Sequence, residues 1–321
     1  MRSPSQQTFT VACLSGDGIG PELMAEASRA LAEAGRLHRF RVEEVHVPFA
    51  GEAVSRYGNP LPPETRAACH RADAVLVALT KEPALEGVKA ELDLTWRVQR
   101  VRLPDGDIAV VSPLDDQMEP FVVRRAFDLA RSRKAKVAAV GDGPTWSTFV
   151  SWEADRHPGV EVERLSLSEA LPRLMNAPDG FCVVVTQREH AELVSDLAAA
   201  SRNGSRIVAS GRLSQTGPGI FGPTHGSAPD IAGQGVANPS GMLLAASLML
   251  SEGLGQQAAG RTLERAVSTA LASGVRTADL AGRAGPAATT RDFMDAVLEL
   301  MPSSRTDVEF ASAVGLTEAT Q

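Results

Sequence analysis

An apolar, β-favouring run at residues 8–14 meets a glycine turn at 15–20 and then a helical pattern at 21–34, which opens on Pro21 and has Gly35 just past its end. The order continues. Residues 41–47 alternate like a second strand, 63–72 have helical spacing, and 74–78 form a short continuous apolar run of the kind found in parallel strands buried on both faces. Parallel neighbours need a crossover connection, so this order predicts a doubly wound parallel sheet with helices on both faces. The middle of the chain reads as a second unit, with strands at 108–111, 136–140 and 181–186 and helices at 120–133 and 189–200. A glycine-rich stretch at 216–235 leads to closing helices at 242–254, 261–273 and 290–301, and only the last dozen residues read as loosely ordered.

With 321 residues, 43% of them hydrophobic, the chain is long enough for a large core and two lobes. Its 32 basic and 39 acidic groups give a net charge of −7 with no basic stripe, which argues against nucleic acid or an anionic membrane surface as the main partner. Cys13, Cys69 and Cys182 are scattered in apolar runs without metal-ligand spacing and read as buried thiols. The first ten residues carry no apolar leader, and the longest apolar stretch, 242–250, is too short to span a bilayer. A soluble cytoplasmic protein is the expectation. Lysine occurs only at Lys81, Lys89, Lys134 and Lys136.

Two glycine loops invite a nucleotide reading. Gly16-Asp17-Gly18-Ile19-Gly20-Pro21-Glu22 lies between a strand and a helix, but its glycines alternate and lack the spacing of a pyrophosphate-binding fingerprint. The second loop runs from Gly222 through His225-Gly226-Ser227-Ala228-Pro229-Asp230 to Asn238-Pro239. It resembles the signature of the isocitrate/isopropylmalate dehydrogenase family of β-decarboxylating dehydrogenases. The 16–22 run resembles that family's opening strand, loop and helix, and Arg276-Thr277-Ala278-Asp279-Leu280 resembles its approach to the C-terminal helices.

The resemblance implies an α/β fold of two domains: a larger parallel-sheet, nucleotide-binding domain from residues 1–100 and 220–321, and a smaller α/β dimerisation domain from 101–219. It implies NAD as cofactor, with His225 packed on the adenine, Asp230 accepting from the ribose hydroxyls, and Asn238 at the adenine edge, the loop being completed by Gly226, Ser227 and Ala228. A carboxylate at Asp230 favours a free 2′-hydroxyl and repels a 2′-phosphate. A divalent cation, Mg²⁺ or Mn²⁺, would fall to Glu192 and Asp196, one turn apart on a helix. The family's third carboxylate falls near Ser168, with Glu169 beside it. The arginine clamp for a small 2-hydroxy diacid maps to Lys89, Gln99 and Ser112, with Arg97 and Arg100 close by, although Arg97, Arg100 and Arg102 read equally as an exposed strand edge. The family's catalytic lysine has Asp142 as its nearest equivalent. Its tyrosine, together with the intersubunit arm, is deleted between Ser112 and Glu119, and the only tyrosine is Tyr57. His190 and Asp142 are the candidate proton-transfer groups. A homodimer is expected through helix 189–200, with Leu193, Val194 and Leu197 on its apolar side.

Two readings follow. One is an NAD-dependent oxidoreductase acting on an altered small hydroxy acid. The other is a non-catalytic NAD-binding relative with a regulatory or partner-binding role, beside which stands a subunit whose site a different chain completes.

Overall fold

The computed structural model describes residues 7–79, 84–104, 106–115, 120–201, 207–281 and 286–301. The expected loose terminus, Lys81 and most of the segment on which the missing tyrosine and arm were placed (116–119) lie outside these residues. Ten strands form one sheet, β1 (Gln7–Leu14), β2 (Phe40–His46), β3 (Ala74–Val77), β4 (Trp96–Leu103), β5 (Gly106–Pro113), β6 (Val137–Val140), β7 (Val162–Leu165), β8 (Val183–Thr186), β9 (Val208–Leu213) and β10 (Gly219–Pro223). Their spatial order is β2-β1-β3-β10-β9-β4-β5-β8-β6-β7. Strands β2, β1, β3 and β10 are mutually parallel, as are β5, β8, β6 and β7. Antiparallel pairing at β10–β9, β9–β4 and β4–β5 joins the two groups, so they run in opposite directions.

Among the described residues the α-helices are α1 (Gly20–His38), α2 (Gly51–Tyr57), α3 (Pro63–Arg71), α4 (Leu85–Glu91), α5 (Pro120–Arg133), α6 (Pro144–Arg156), α7 (Leu167–Asn176), α8 (Arg188–Ala200), α9 (Ser240–Leu248), α10 (Gln257–Ala272), α11 (Ala278–Ala281) and α12 (Thr290–Leu300). Gly35 does not end α1. The helix continues to His38 and stops where Arg39 turns left-handed at φ 62°. A Cβ on Gly35 would lie 2.8 Å from the Phe40 carbonyl oxygen, so this glycine serves close packing of helix on strand. After Leu248 helix α9 widens into a π-turn over Met249–Gly253. A Cβ on Gly253 would come within 2.8 Å of the Phe221 ring, so the turn packs tightly on β10. Capping boxes at Ser166 and Thr289 start α7 and α12. Thr289→Ala is expected to cost about 1 kcal/mol, read from the midpoint of chemical denaturation.

The two faces of the sheet are covered differently. On one face a single core runs across both strand groups, from Val11, Cys13, Ala74 and Leu76 through Phe221, Ala209, Val98 and Trp96 to Val111, Val185 and Ala139, and is closed by α1, α5, α9, α10 and α12. On the other face there are two cores. Ala12, Leu14, Val75, Val77 and Ile220 pack with Leu85 and Val88 of α4, while Val101, Val110, Val184, Val140 and Val208 pack with α7 and α8 through Leu174, Val194 and Ala198. Between these cores β9 and β4 present Ser210, Arg212, Arg97 and Gln99, a polar seam. The expected boundary at 100/101 falls inside β4, and that at 219/220 falls inside β10. Among the described residues no helix is long and apolar enough to cross a membrane.

Candidate active site

The 225–238 loop follows β10 and docks on the glycine turn that follows β1. The Ile19 amide donates to the Ser227 carbonyl at 2.9 Å, and the Gly235 amide donates to the Glu22 carboxylate at 3.3 Å. Gly18 sits at φ +60° so close to the loop that a Cβ there would lie 1.9 Å from the Ser227 oxygen. The alternate glycines that fit no phosphate fingerprint thus have a packing role: the turn is a seat for the second loop. On its far side the loop is tied to α12, where Thr290 donates to the carbonyls of Gly235 through its amide (2.8 Å) and Ala237 through its hydroxyl (2.7 Å).

Within this frame the cofactor candidates have distinct settings. His225 is half-buried, its Nδ1 3.0 Å from the Gly226 carbonyl, and its ring lies beside Gly241 at the start of α9. Ala228 is held at φ 38°, a left-handed conformation that costs a non-glycine residue about 1 kcal/mol or more. Asp230 is exposed, and among the described residues only its carbonyl oxygen is engaged, by the Gln234 side-chain amide at 2.7 Å. Its carboxylate therefore faces solvent, as an acceptor for ribose hydroxyls requires. Asn238 is more committed: its amide nitrogen donates to Asp279 at 2.9 Å and its oxygen accepts from the Ser240 amide at 3.0 Å. The residues present fit an adenosine group at Asp230.

The polar seam is a second cluster. Arg97 on β4 pairs in register with Arg212 on β9 and with Ser112 on β5, so the three share one cross-strand row. Arg97 is buried and its guanidinium Nη1 donates to Glu192 of α8, whose side chain remains 63% exposed. Gln99, one step along β4, accepts from the Ser195 hydroxyl of α8 at 2.8 Å. Lys89 of α4 contacts Glu86 at 2.5 Å; burial, with Arg212 nearby, holds its pKa below the ordinary lysine range against the raising effect of Glu86. Arg212 is half-buried and, among the described residues, in no ion pair; burial first and then Arg97 lower its pKa. Arg97 Nε and Ser112 Oγ on the row, and Thr95 Oγ1 two residues before Arg97, are buried with no hydrogen-bond partner among the described residues.

This arrangement corrects several expectations. Arg97, Arg100 and Arg102 are not an exposed edge, because β4 lies in the middle of the sheet and all three are buried. Strand alternation sends Arg97 to the seam and Arg100 to the opposite face, where it meets Glu264 of α10 at 2.6 Å. Arg100 is thus a structural residue and not a substrate contact. Glu192 and Asp196 lie one turn apart on α8, but Asp196 is exposed and Glu192 is paired to Arg97, so a divalent cation there would sit beside two guanidiniums. The donor set does not fit Mg²⁺ or Mn²⁺. Glu169 closes the Ser166 capping box, its carboxylate accepting from the Ser166 backbone amide at 2.8 Å. Asp142, in the exposed turn after β6, donates its amide to Gln187 at 3.1 Å. His190, in the first turn of α8, has a buried Nδ1 without a hydrogen-bond partner among the described residues. Tyr57 is exposed. Of the expected dimer stripe, Val194 is in the core, Leu193 is 43% exposed and Leu197 is half-buried. Cys13 and Cys69 are buried as expected, whereas Cys182 is partly exposed.

Arg212 is the residue that the sequence reading missed. Its signal was present: residues 207–213 alternate as a strand, and a charged side chain in such a run needs either solvent or a partner.

A model of the isocitrate/isopropylmalate dehydrogenase family matches residues 10–98 and 114–297. The chain belongs to the isocitrate/isopropylmalate dehydrogenase family. It is 33% identical to the 3-isopropylmalate dehydrogenase of Zymomonas mobilis subsp. mobilis, over 90% of this chain and 98% of that protein. It is 31% identical to the enzyme of the same name from Bacillus thuringiensis subsp. konkukian, over 91% and 96%. Among solved structures, the apo β-decarboxylating dehydrogenase of Thermococcus kodakarensis superposes with a TM-score of 0.76 at 24% identity, covering 98% of this chain and 100% of that one. The isocitrate dehydrogenase of Methylococcus capsulatus gives 0.75 at 22% identity, covering 91% and 99%; both likenesses concern the fold. The break in the family match, 99–113, removes most of β4 and β5, and with them Gln99 and Ser112, where the family's arginine clamp was expected.

Proposed function

We propose that this family member binds NAD through the 225–238 loop and transfers a hydride to it from a small 2-hydroxy acid other than isopropylmalate or isocitrate. The observation that carries the proposal is the Asp230 carboxylate, exposed on a loop fixed at both ends by hydrogen bonds to the β1 turn and α12. The nicotinamide, when bound, supplies the hydride acceptor. The chain's own residues hold the adenosine at Asp230 and His225 and the acid at the seam. From Ala209, opposite Pro223 where the loop begins, β9 runs three residues to Arg212, about 10 Å along the strand.

Oxidation of the hydroxyl releases a proton, which we assign to His190 in the first turn of α8, whose amide bonds the Gln187 carbonyl while the Asp142 amide bonds the Gln187 side chain, so that Asp142 is a second candidate at the same strand end. The family's lysine and tyrosine have no counterpart here, so decarboxylation is not assigned. The two lobes meet along the seam, and the chain pairs with a second copy through the exposed side of α8 at Leu193. Isothermal titration is expected to show NAD binding without added metal and a strong preference over NADP. Asp230→Arg is expected to reverse that preference by tenfold or more, because a guanidinium attracts the 2′-phosphate that the carboxylate repels. Equal loss of both nucleotides in a folded Asp230→Arg protein would remove Asp230 from the ribose. A screen of 2-hydroxy acids that never reduces NAD would leave the loop as a binding module only.

A further inference from the structure

In the family resemblance the helix-α8 carboxylate Glu192 serves a cation. In this chain it faces a buried guanidinium instead, and the strands beneath it carry a second one. Arg97 and Arg212 are cross-strand partners, with side chains on the same face of the sheet. Two guanidiniums side by side repel each other; Glu86 and Glu192 both act on Arg212, but with Lys89 beside them three cations face two carboxylates. Ser112 Oγ, on the same row, and Thr95 Oγ1, two residues before Arg97 on the same strand face, are buried without hydrogen-bond partners among the described residues. Buried polar atoms are satisfied in the great majority of native sites, so several orphans gathered around paired cations mark a place where an anion completes the set.

We propose that the seam is an anion site that has replaced the metal site: a carboxylate of the substrate lies between Arg97 and Arg212, displaces Glu192 from Arg97, and accepts from Thr95 and Ser112, with Lys89 at its rim. Glu192 is then an internal stand-in for the ligand carboxylate. Its side chain is 63% exposed while that of Arg97 is 7% exposed, so the acid swings away into water at little cost while the base stays fixed. Arg212 becomes a specificity residue, since it sets how many carboxylate oxygens are held. The inference rests on the oxidoreductase reading for the identity of its ligand as a hydroxy acid, but not for its anion chemistry.

The roles of Glu192 as stand-in and as metal ligand predict opposite signs. Malonate, a small dicarboxylate, is titrated into the full chain by isothermal calorimetry with EDTA present, into Glu192→Gln and Arg212→Ala, and into Arg212→Lys as the conservative variant. Malonate is expected to bind the unaltered chain without metal and to bind Glu192→Gln about tenfold more tightly, because its competitor is gone. It is expected to bind Arg212→Ala about tenfold more weakly, one charge-assisted hydrogen-bond pair having been removed, and Arg212→Lys is expected to recover part of that loss. Thermal melts establish that the variants fold; Arg212 is half-buried and in no ion pair among the described residues, so its removal strands no paired carboxylate there. Malonate binding that requires Mn²⁺, that weakens in Glu192→Gln, or that is absent from both the unaltered chain and Glu192→Gln overturns the proposal. NAD titrated into the same samples separates the two readings: intact NAD binding beside a failed malonate series rejects the anion site alone, and the converse rejects the nucleotide loop alone.

Discussion

Gly18→Ala is expected to abolish measurable NAD binding and to destabilise the fold by about 1–3 kcal/mol through overpacking, with roughly another 1 kcal/mol from the left-handed backbone. The reason is geometric. The new methyl carbon would lie 1.9 Å from the Ser227 carbonyl oxygen and 2.8 Å from its carbon, and both are backbone atoms that no rotamer change moves. The loop would have to lift from the β1 turn, breaking the bond from Ile19 to Ser227 and carrying Asp230 with it. Gly226→Ala is the control, because nothing lies within 4 Å of a Cβ there; it is expected to melt like the unaltered chain. Calorimetric NAD titration and denaturant midpoints report the two effects separately. A Gly18→Ala protein with unchanged midpoint and NAD affinity would show that the docking of the two loops is not what positions the nucleotide.

Asp107→Ala is expected to cost about 3–5 kcal/mol, the range for stripping one partner from a buried ion pair. Asp107, at the start of β5, lies 3.0 Å from Arg133 of α5 and 3.9 Å from Arg100 of β4, which in turn reaches Glu264 of α10. Removing the carboxylate leaves Arg133 buried with no other ion-pair partner among the described residues. Burial alone would push the Asp107 carboxyl up, but the Arg133 and Arg100 guanidiniums outweigh it and hold it below the ordinary carboxylate range. A carboxyl whose folded pKa is depressed contributes its stability above the unfolded value, about 3.9, and loses it as pH falls from there through the folded pKa. The unaltered chain should therefore lose stability below about pH 4 more steeply than Asp107→Ala does. Denaturation midpoints at pH 7 and at pH 3–4 test this; parallel pH profiles for the two proteins would show that the carboxylate is not the titrating group.

The parts of this fold that follow simple periodicities were legible in the sequence. Residues 74–78 and 137–140 are continuous apolar runs because β3 and β6 are buried on both faces, and Pro120 marks a helix start because the first turn of a helix tolerates proline. The 225–238 loop was legible because its residue types serve one purpose. Strand β4 was not. Arg97-Val98-Gln99-Arg100-Val101-Arg102 has the charge density of an exposed edge, and nothing local says that Glu192, Glu264 and the Gly106 and Pro104 carbonyls, contributed by distant elements and by its own hairpin turn, hold these guanidiniums in the interior. The same long-range pairing separates Arg97 from Arg100, which neighbouring sequence positions had grouped. The pairing of Glu192 was hidden for a related reason: the carboxylate spacing on α8 suits a cation, but its partner is set by whatever stands opposite, and here that is a guanidinium from another strand.

Strand β4 also limits which insertions and deletions this lineage can accept. Trp96, Val98 and Arg100 face one side, and Arg97, Gln99 and Val101 the other. A single residue gained or lost in the approach to Trp96, if taken up by sliding the strand, would exchange the two sets, driving Arg97 and Gln99 into an apolar core and placing an indole where a carboxylate is received. Side chains along the seam can therefore drift toward new ligands by point substitution, whereas changes in length must be absorbed in the flanking turns. Chains lengthened or shortened by one residue within β4 are therefore expected to fold less well than point variants along the seam.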